Sequence, residues 1–300
     1  MKTLKLSLLL CFVTTLTFGN VSTKEKEALI AICNATNGDN WTVVWDIDKP
    51  INTWHGVVVK NDKVIALDLS FNNLEGVLPS QIGDLENLQT LNLFRNKISG
   101  VIPESIGNLK QLTSLNIAFN ALEGRLPNTI GNLASLESLE LCMNKIEGSI
   151  PTTIGNLSQL QKIEIFSNNL TGAIPQEIGT LTNLKELSLS SNNLSGSIPK
   201  TVKNLVNLEK LSLYDNQLFG AIPSSLGNLT KLEEIMLSDN FLFGNVPSNL
   251  ASLDNLKILM INNNDLQGDF ANLGKSLPEG VQFEFANIGE RKKAALAGTD

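Results

Sequence analysis

From Val64 to Ile261 the hydrophobic positions follow one pattern, repeated. It reads L-x-x-L-x-x-L-x-L-x-x-N-x-I/L-x-G-x-I-P, as in LENLQTLNLFRNKISGVIP (Leu85 to Pro103), LASLESLELCMNKIEGSIP (Leu133 to Pro151) and LVNLEKLSLYDNQLFGAIP (Leu205 to Pro223). Asparagine closes the apolar run at Asn72, Asn96, Asn120, Asn144, Asn168, Asn192, Asn216, Asn240 and Asn264, a period of 24 residues without a slip. In Leu91-Asn92-Leu93 the alternation predicts a short strand with the leucines inward and Asn92 outward. Strands recurring at a fixed period predict a parallel sheet with a spacing of about 4.8 Å. A period of this length means stacked coils, each unable to bury its apolar face without its neighbours.

Each asparagine follows its strand, where the backbone turns inward and leaves amide and carbonyl groups in need of partners. A carboxamide offers two donors and two acceptor sites, so it can serve its own turn and the next. The nine are therefore expected to form a buried ladder. Gly100 and its equivalents allow a tight bend. The following Pro103 fixes φ and suits an extended segment leading into the next turn.

This pattern resembles the leucine-rich repeat. The G-x-I-P ending and the 24-residue period resemble the plant-type subclass of receptor-kinase ectodomains and polygalacturonase-inhibiting proteins, over about two thirds of the chain. The resemblance implies an α/β repeat solenoid, a right-handed superhelix with a parallel β-sheet on its concave face. It implies a protein or peptide as partner, with inhibition of a secreted, cell-wall-degrading hydrolase as one concrete version.

The remaining segments divide around the repeats. Residues 1–19 carry two lysines before an apolar run of about a dozen residues, a secretory signal pattern too short to span a bilayer, with cleavage expected after Gly19. Leu10 before Cys11 is not the small residue that a lipoprotein signal needs. Residues 20–63 form an N-terminal cap. Ser22 to Asn37 reads as a helix, with Ser22 and Glu25 at capping-box spacing, an apolar stripe of Ala28, Leu29, Ile32 and Cys33, and Asn37-Gly38 as its end. Trp41, Trp45 and Trp54 are expected to fill this lid over the raw end of the solenoid. WHGVVV (Trp54 to Val59) resembles the C-x-W-x-G-V-x-C cap of plant-type repeats, but Asn52 and Val59 stand where its cysteines fall. Such a disulfide-free cap looks more like that of microbial or algal members. Cys33 and Cys142 lie about four repeats apart, too far to bridge.

Nine repeats are expected over 64–271 and a C-terminal cap over 272–288. Phe283 and Phe285 fall 24 residues after Leu259 and Ile261, so Val281 to Phe285 reads as a tenth, closing strand; Ile288 stands where the next asparagine would fall. Residues 289–300 have no place in the pattern and are expected to be mobile.

A formal net charge of −7 argues against nucleic acid or anionic membrane as partner. No segment after the leader is apolar enough to span a membrane, so the chain is expected to be secreted: extracellular, periplasmic or at the cell surface. His55 is the single histidine and sits in the cap. No serine–histidine, cysteine–histidine or phosphate-loop pattern appears, nor zinc or calcium ligand spacing. The expectation is a non-enzymatic protein without metal or cofactor.

What varies is the outward face of the strands. Phe94, Phe119, Met143 and Phe166 form a diagonal apolar band over repeats two to five, with Arg95, Glu140, Lys162 and Glu164 beside it and Tyr214 farther along. Aromatics flanked by charge match the anatomy of a protein-binding hot spot. The alternative is that the rings pack on one another across adjacent strands and serve the sheet. Cys142 lies within the band as a small residue. A lateral group, Phe219, Phe241 and Phe243, occupies places that elsewhere hold Glu75, Lys97, Glu123, Lys145 and Asn169. It reads either as an interface for self-association or as packing for the C-terminal cap. Carbohydrate or ice-type binding is the competing class, but the residues after each proline are too irregular for lattice matching. Sequons stand at Asn20, Asn34, Asn40, Asn156, Asn169, Asn193 and Asn228, four of them from the wording of the repeat itself.

Overall fold

The computed structural model describes residues 21–285. The leader over 1–19, Cys11, the Asn20 sequon, Ile288 and the tail over 289–300 lie outside the described residues.

The N-terminal helix spans Thr23–Ala35. Ser22 caps it: its Oγ accepts from the Glu25 amide at 3.2 Å and donates to Glu25 Oε2 at 3.0 Å. The other oxygen of this buried carboxylate accepts from the Val64 amide at 3.2 Å, tying the helix to the first repeat strand. The three tryptophans are buried together, Trp45 edge-on to Trp41 and stacked on Trp54, both at 4.9 Å. Each indole N–H finds a carbonyl, that of Thr36, His55 or Lys49. Large rings with satisfied polar edges suit a lid over an apolar cross-section.

Val57–Lys60 then pairs antiparallel with Lys63–Asp68 across a two-residue turn, Asn61 and Asp62, both at positive φ. This hairpin opens an eleven-stranded sheet. All later neighbours in it are parallel and in register at 24 residues: Leu67 beside Leu91, Leu91 beside Leu115, and on to Leu259 beside Phe283 in the closing strand Gln282–Glu284. Inward residues such as Leu91, Leu93, Leu109 and Leu112 are wholly buried in one continuous core. The fold is the expected α/β solenoid.

The ladder is present, but its direction corrects the sequence reading. Each asparagine serves its own turn and the preceding coil, not the next. Asn96 Nδ2 donates to its own Leu93 carbonyl at 3.0 Å and back to Leu69 at 2.8 Å. Its Oδ1 accepts from Leu74 at 2.9 Å and from the Asn72 amide at 3.0 Å. Asn168, Asn192, Asn216, Asn240 and Asn264 repeat this backward reach. Asn72, with no preceding repeat, holds Val43 of the cap by both its amide and its carbonyl.

After each asparagine the chain forms a second, lateral set of parallel strands, six from Glu75–Val77 to Asn193–Ser195 and three from Phe219–Gly220 to Asp265–Gln267. Here partners are 22 residues apart, as in Glu75 beside Lys97 and Glu123 beside Lys145. Each coil is therefore displaced by two residues relative to the strand sheet. The repeat prolines from Pro79 to Pro247 are extended, and each opens a short 3-10 turn such as Glu104–Asn108. Hydroxyls stitch these turns: Thr129 Oγ1 donates to the Glu104 carbonyl at 2.7 Å and Thr153 Oγ1 to that of Asn128 at 2.8 Å.

The C-terminal end closes with the helix Phe270–Ser276, capped by Asp269 and straddling the expected boundary between repeats and cap. Phe285 stacks on Phe270 at 5.3 Å and on Phe283 at 4.9 Å. Cys33 and Cys142 are free thiols. Among the described residues no helix is long and apolar enough to cross a membrane.

Candidate ligand-binding face

The strand Thr90–Asn92 sends Leu91 inward and leaves Thr90 and Asn92 half-buried on the outer face. Phe94 continues that outer face, its amide donating to Asn92 Oδ1 at 3.1 Å. The next residue has no such freedom. In every coil the residue just before the ladder asparagine takes positive φ: Phe71 at 54°, Arg95, Phe119 and Met143 at 56°, then Ser167, Ser191, Asp215, Asp239 and Asn263. For an L-residue this conformation costs roughly 1–2 kcal/mol. Main-chain bonds hold it in place, such as Arg95 N to the Ala118 carbonyl at 2.9 Å. The result is one rim column of nine side chains in the same backbone conformation.

At the N-terminal end of this rim three rings meet. Phe94 lies 5.2 Å from Phe71 on one side and 5.2 Å from Phe119 on the other, both edge-to-face. The Arg95 guanidinium sits over Phe71, 5.6 Å from the ring centre. The rings pack across strands, as one of the two sequence readings expects, and Phe71 and Phe119 remain 58% and 38% exposed. Phe71 was absent from the expected band. Its signal was its place in the same column as Arg95 and Phe119. Val43 of the cap, also exposed, donates its amide to Asn72, the residue after Phe71. Met143 is exposed one coil beyond Phe119. Phe166 is half-buried and Tyr214 exposed, and both lie outside the three-ring stack.

Of the expected flanking charges, Arg95 lies over Phe71, while Glu140, Lys162 and Glu164 engage one another. Lys162 bridges Glu164 at 3.0 Å and Glu140 at 3.5 Å, and Glu140 also accepts from Asn116 and Ser138. Burial works against the Lys162 ammonium, but the two carboxylates overcome it and raise its pKa. The same row continues as Lys162, Glu186, Lys210 and Glu234 in register, with Lys210 paired to Glu234 at 3.1 Å. Glu186 makes an ion pair with neither lysine, and burial and then Glu164 push its pKa up. The Cys142 thiol, buried beneath Glu164 and Glu140, is pushed up to about 12.

In the lateral group the 22-residue register decides the neighbours. Phe219 stands across from Phe241, not from Phe243, which follows two residues along the same strand. All three rings remain exposed, whereas the cap closes on its own Phe270, Phe283 and Phe285. The sequons at Asn34, Asn40, Asn156, Asn169, Asn193 and Asn228 are exposed, and none lies in a strand of the long sheet. Among the described residues no group of three or more His, Cys, Asp or Glu could hold a metal ion. His55 is exposed in the cap, where its carbonyl accepts from Trp45.

Residues 67–176 match the family described as leucine-rich repeat region, and residues 183–205 and 207–229 match the leucine rich repeat itself. The chain is a leucine-rich-repeat protein with repeats of the plant type. Among solved structures it is similar to the ectodomain of the plant membrane receptor kinase GASSHO1/SCHENGEN3 from Arabidopsis thaliana in complex with Casparian strip integrity factor 2. Identity is 33% over 86% of this chain and 32% of that one, with a TM-score of 0.82. It is also similar to the Arabidopsis receptor kinase HAESA in complex with the peptide hormone IDA and the co-receptor SERK1, at 29% identity over 82% of this chain and 46% of that one, TM-score 0.65. The chain spans about a third to a half of the length of these receptor structures. A plant ice-binding protein matches at 24% identity over 90% of this chain and 100% of that one, TM-score 0.63, a likeness of fold alone.

Proposed function

We propose that this chain is a secreted, non-catalytic recognition protein that binds a peptide or an extended protein segment along its strand face. The observation that carries this reading is the exposed stack of Phe71, Phe94 and Phe119 with Arg95 laid over it. The fold does not need rings there: Ser70, Ala118, Ser167 and Ser191 occupy equivalent places in other coils. Rigid aromatic surface beside a guanidinium is the composition of a binding hot spot. Backbone bonds preform the rim, so a ligand meets a surface already ordered. The similar receptor HAESA carries a peptide hormone in its solved complex, which supports the ligand class. The signal pattern of residues 1–19 supports secretion. Inhibition of a secreted hydrolase is the more specific form of this reading, with the hydrolase surface as the bound segment.

The test is capture from native extracellular material by wild type and by Phe94→Ala/Phe119→Ala, with circular dichroism as the control for folding. Loss of specific partners from the double variant is expected. Equal recovery by both proteins removes the ring stack from consideration. Assay of any captured hydrolase with and without the chain then decides the inhibitor form.

A further inference from the structure

The rim column changes character along the solenoid while its backbone does not. Its residues are Phe71, Arg95, Phe119 and Met143, then Ser167 and Ser191, then Asp215 and Asp239, and last Asn263, all at φ between 51° and 56°. Identical conformation means that the side chains leave the surface in the same way, so the gradient is one of chemistry alone. The apolar end carries the column's single cation, Arg95, over Phe71. The far end carries its two carboxylates before Asn263 closes it, with Lys210 on the strand that leads to Asp215, Glu234 on the strand that leads to Asp239, and Glu186 one coil before Lys210. Lys162 and Lys210 act on Glu186 from either side, and Asp239 accepts from Asn263 Nδ2 at 2.9 Å, yet the carboxylates of this end outnumber its cations. Lys162 is held between Glu140 and Glu164, and Lys210 is paired with Glu234. Glu186 shares no ion pair among the described residues, and Asp215 is exposed.

We infer that the ligand is an extended peptide that is cationic at one end and apolar at the other, lying along the rim with its basic residues over Asp215, Asp239 and Glu186. This rests on the strand-face reading above and adds the charge, the spacing and the orientation of the ligand. Charge complementarity sets the orientation: Arg95 repels a basic segment from the ring end, while the carboxylates attract it to the far end. The spacing follows from the coils. From Phe119 to Asp215 there are four strand intervals, about 19 Å at ~4.8 Å each. An extended chain covers roughly 3.3–3.6 Å per residue. The basic and the apolar anchors of the ligand are therefore about six residues apart. The hydroxyls of Ser167 and Ser191 lie between them, where a peptide backbone passes.

The test selects twelve-residue random peptides, displayed on phage, against the full chain. Selected sequences are then measured as synthetic peptides by fluorescence anisotropy on wild type, on Glu186→Gln/Asp215→Asn and on Phe94→Ala/Phe119→Ala. The expected result is enrichment of Lys or Arg about six residues from an aromatic or aliphatic anchor. Binding should weaken about tenfold in the amide variant, and 0.5 M salt should shrink that difference. Selected peptides without basic enrichment, or bound equally by wild type and the amide variant, overturn the inference. If those peptides still need Phe94 and Phe119, the strand face remains the binding site and only the charge assignment falls. If no selected peptide depends on either pair, the strand-face reading falls with it.

Discussion

Asn168 in one coil donates its side-chain amide to the main-chain carbonyl of Leu141 in the coil before it, at 3.0 Å. The same amide serves its own coil through Ile165 at 3.2 Å, and its carbonyl takes the Ile146 amide at 2.9 Å. Removing this one side chain leaves the buried Ile146 amide without its acceptor and takes one of two asparagine donors from each carbonyl, since Leu141 keeps Asn144 and Ile165 keeps Asn192. Asn168→Ala should destabilise by ~1–3 kcal/mol. Chemical denaturation of the variant checks this, and an unshifted midpoint would show that the ladder is not needed for cohesion.

Glu25 joins the cap to the array in a comparable way. Its carboxylate takes the Ser22 hydroxyl and the Val64 amide, and Asn87 Nδ2 approaches it at 3.5 Å. Glu25→Ala loses the helix-end bond and leaves the Val64 amide buried and bare, a cost of ~1–3 kcal/mol. Because the loss sits at one end of a nearest-neighbour stack, fraying should start there. Hydrogen exchange should speed up first at Val64 and in the helix Thr23–Ala35, while amides near Leu187 keep their protection.

Gly107 is fixed by contact, not by φ. A β-carbon there would stand 2.5 Å from the Thr129 carbonyl oxygen and 2.6 Å from Thr129 Cβ in the next coil. The coils would have to part. Gly107→Ala should cost ~1–3 kcal/mol as an overpacked interior change. A thermal midpoint equal to that of wild type would contradict this packing.

The Cys142 thiol should be inert in the folded protein. Burial, then Glu164 and Glu140, lift its pKa from an ordinary 9.0 to about 12. Native protein at pH 8 should resist iodoacetamide at this residue and react only after unfolding. The pH dependence has a definite sign. Below pH 9 the thiol is protonated in both states and contributes nothing. Between pH 9 and about 12 only the unfolded chain gives up the proton, so stability falls as pH rises. Cys142→Ala should flatten that part of the stability curve.

The strand sheet, the core and the asparagine ladder were legible because Leu91, Leu93 and Asn96 keep fixed places in a period that never slips. The direction of the ladder was not. A carboxamide can reach either neighbour, and only the stacking geometry sends Asn96 back to Leu69. The lateral register was hidden for a similar reason. Aligning repeats at 24 residues sets Phe219 against Phe243, but the displaced coils set it against Phe241. Phe71 escaped the expected band, which began at Phe94, although it stands in the same column as Arg95 and Phe119. The charges were read as independent groups, whereas Lys162 is committed to Glu140 and Glu164. The opening hairpin lay in a run of three valines without alternation; Asn61-Asp62 between VVVK and KVIALD was its one local signal.

The backward reach of the ladder has a bearing on biosynthesis. Coil closure waits on the successor: the Ile146 amide obtains its side-chain acceptor, and the Leu141 carbonyl its second side-chain donor beside Asn144, only once Asn168 has been added. A nascent chain emerging from the ribosome therefore always carries one unfinished turn at its growing end, and consolidates one unit behind synthesis. Since every junction from Asn96 to Asn264 uses the same chemistry, whole units could be spliced in or taken out between them without redesigning those on either side.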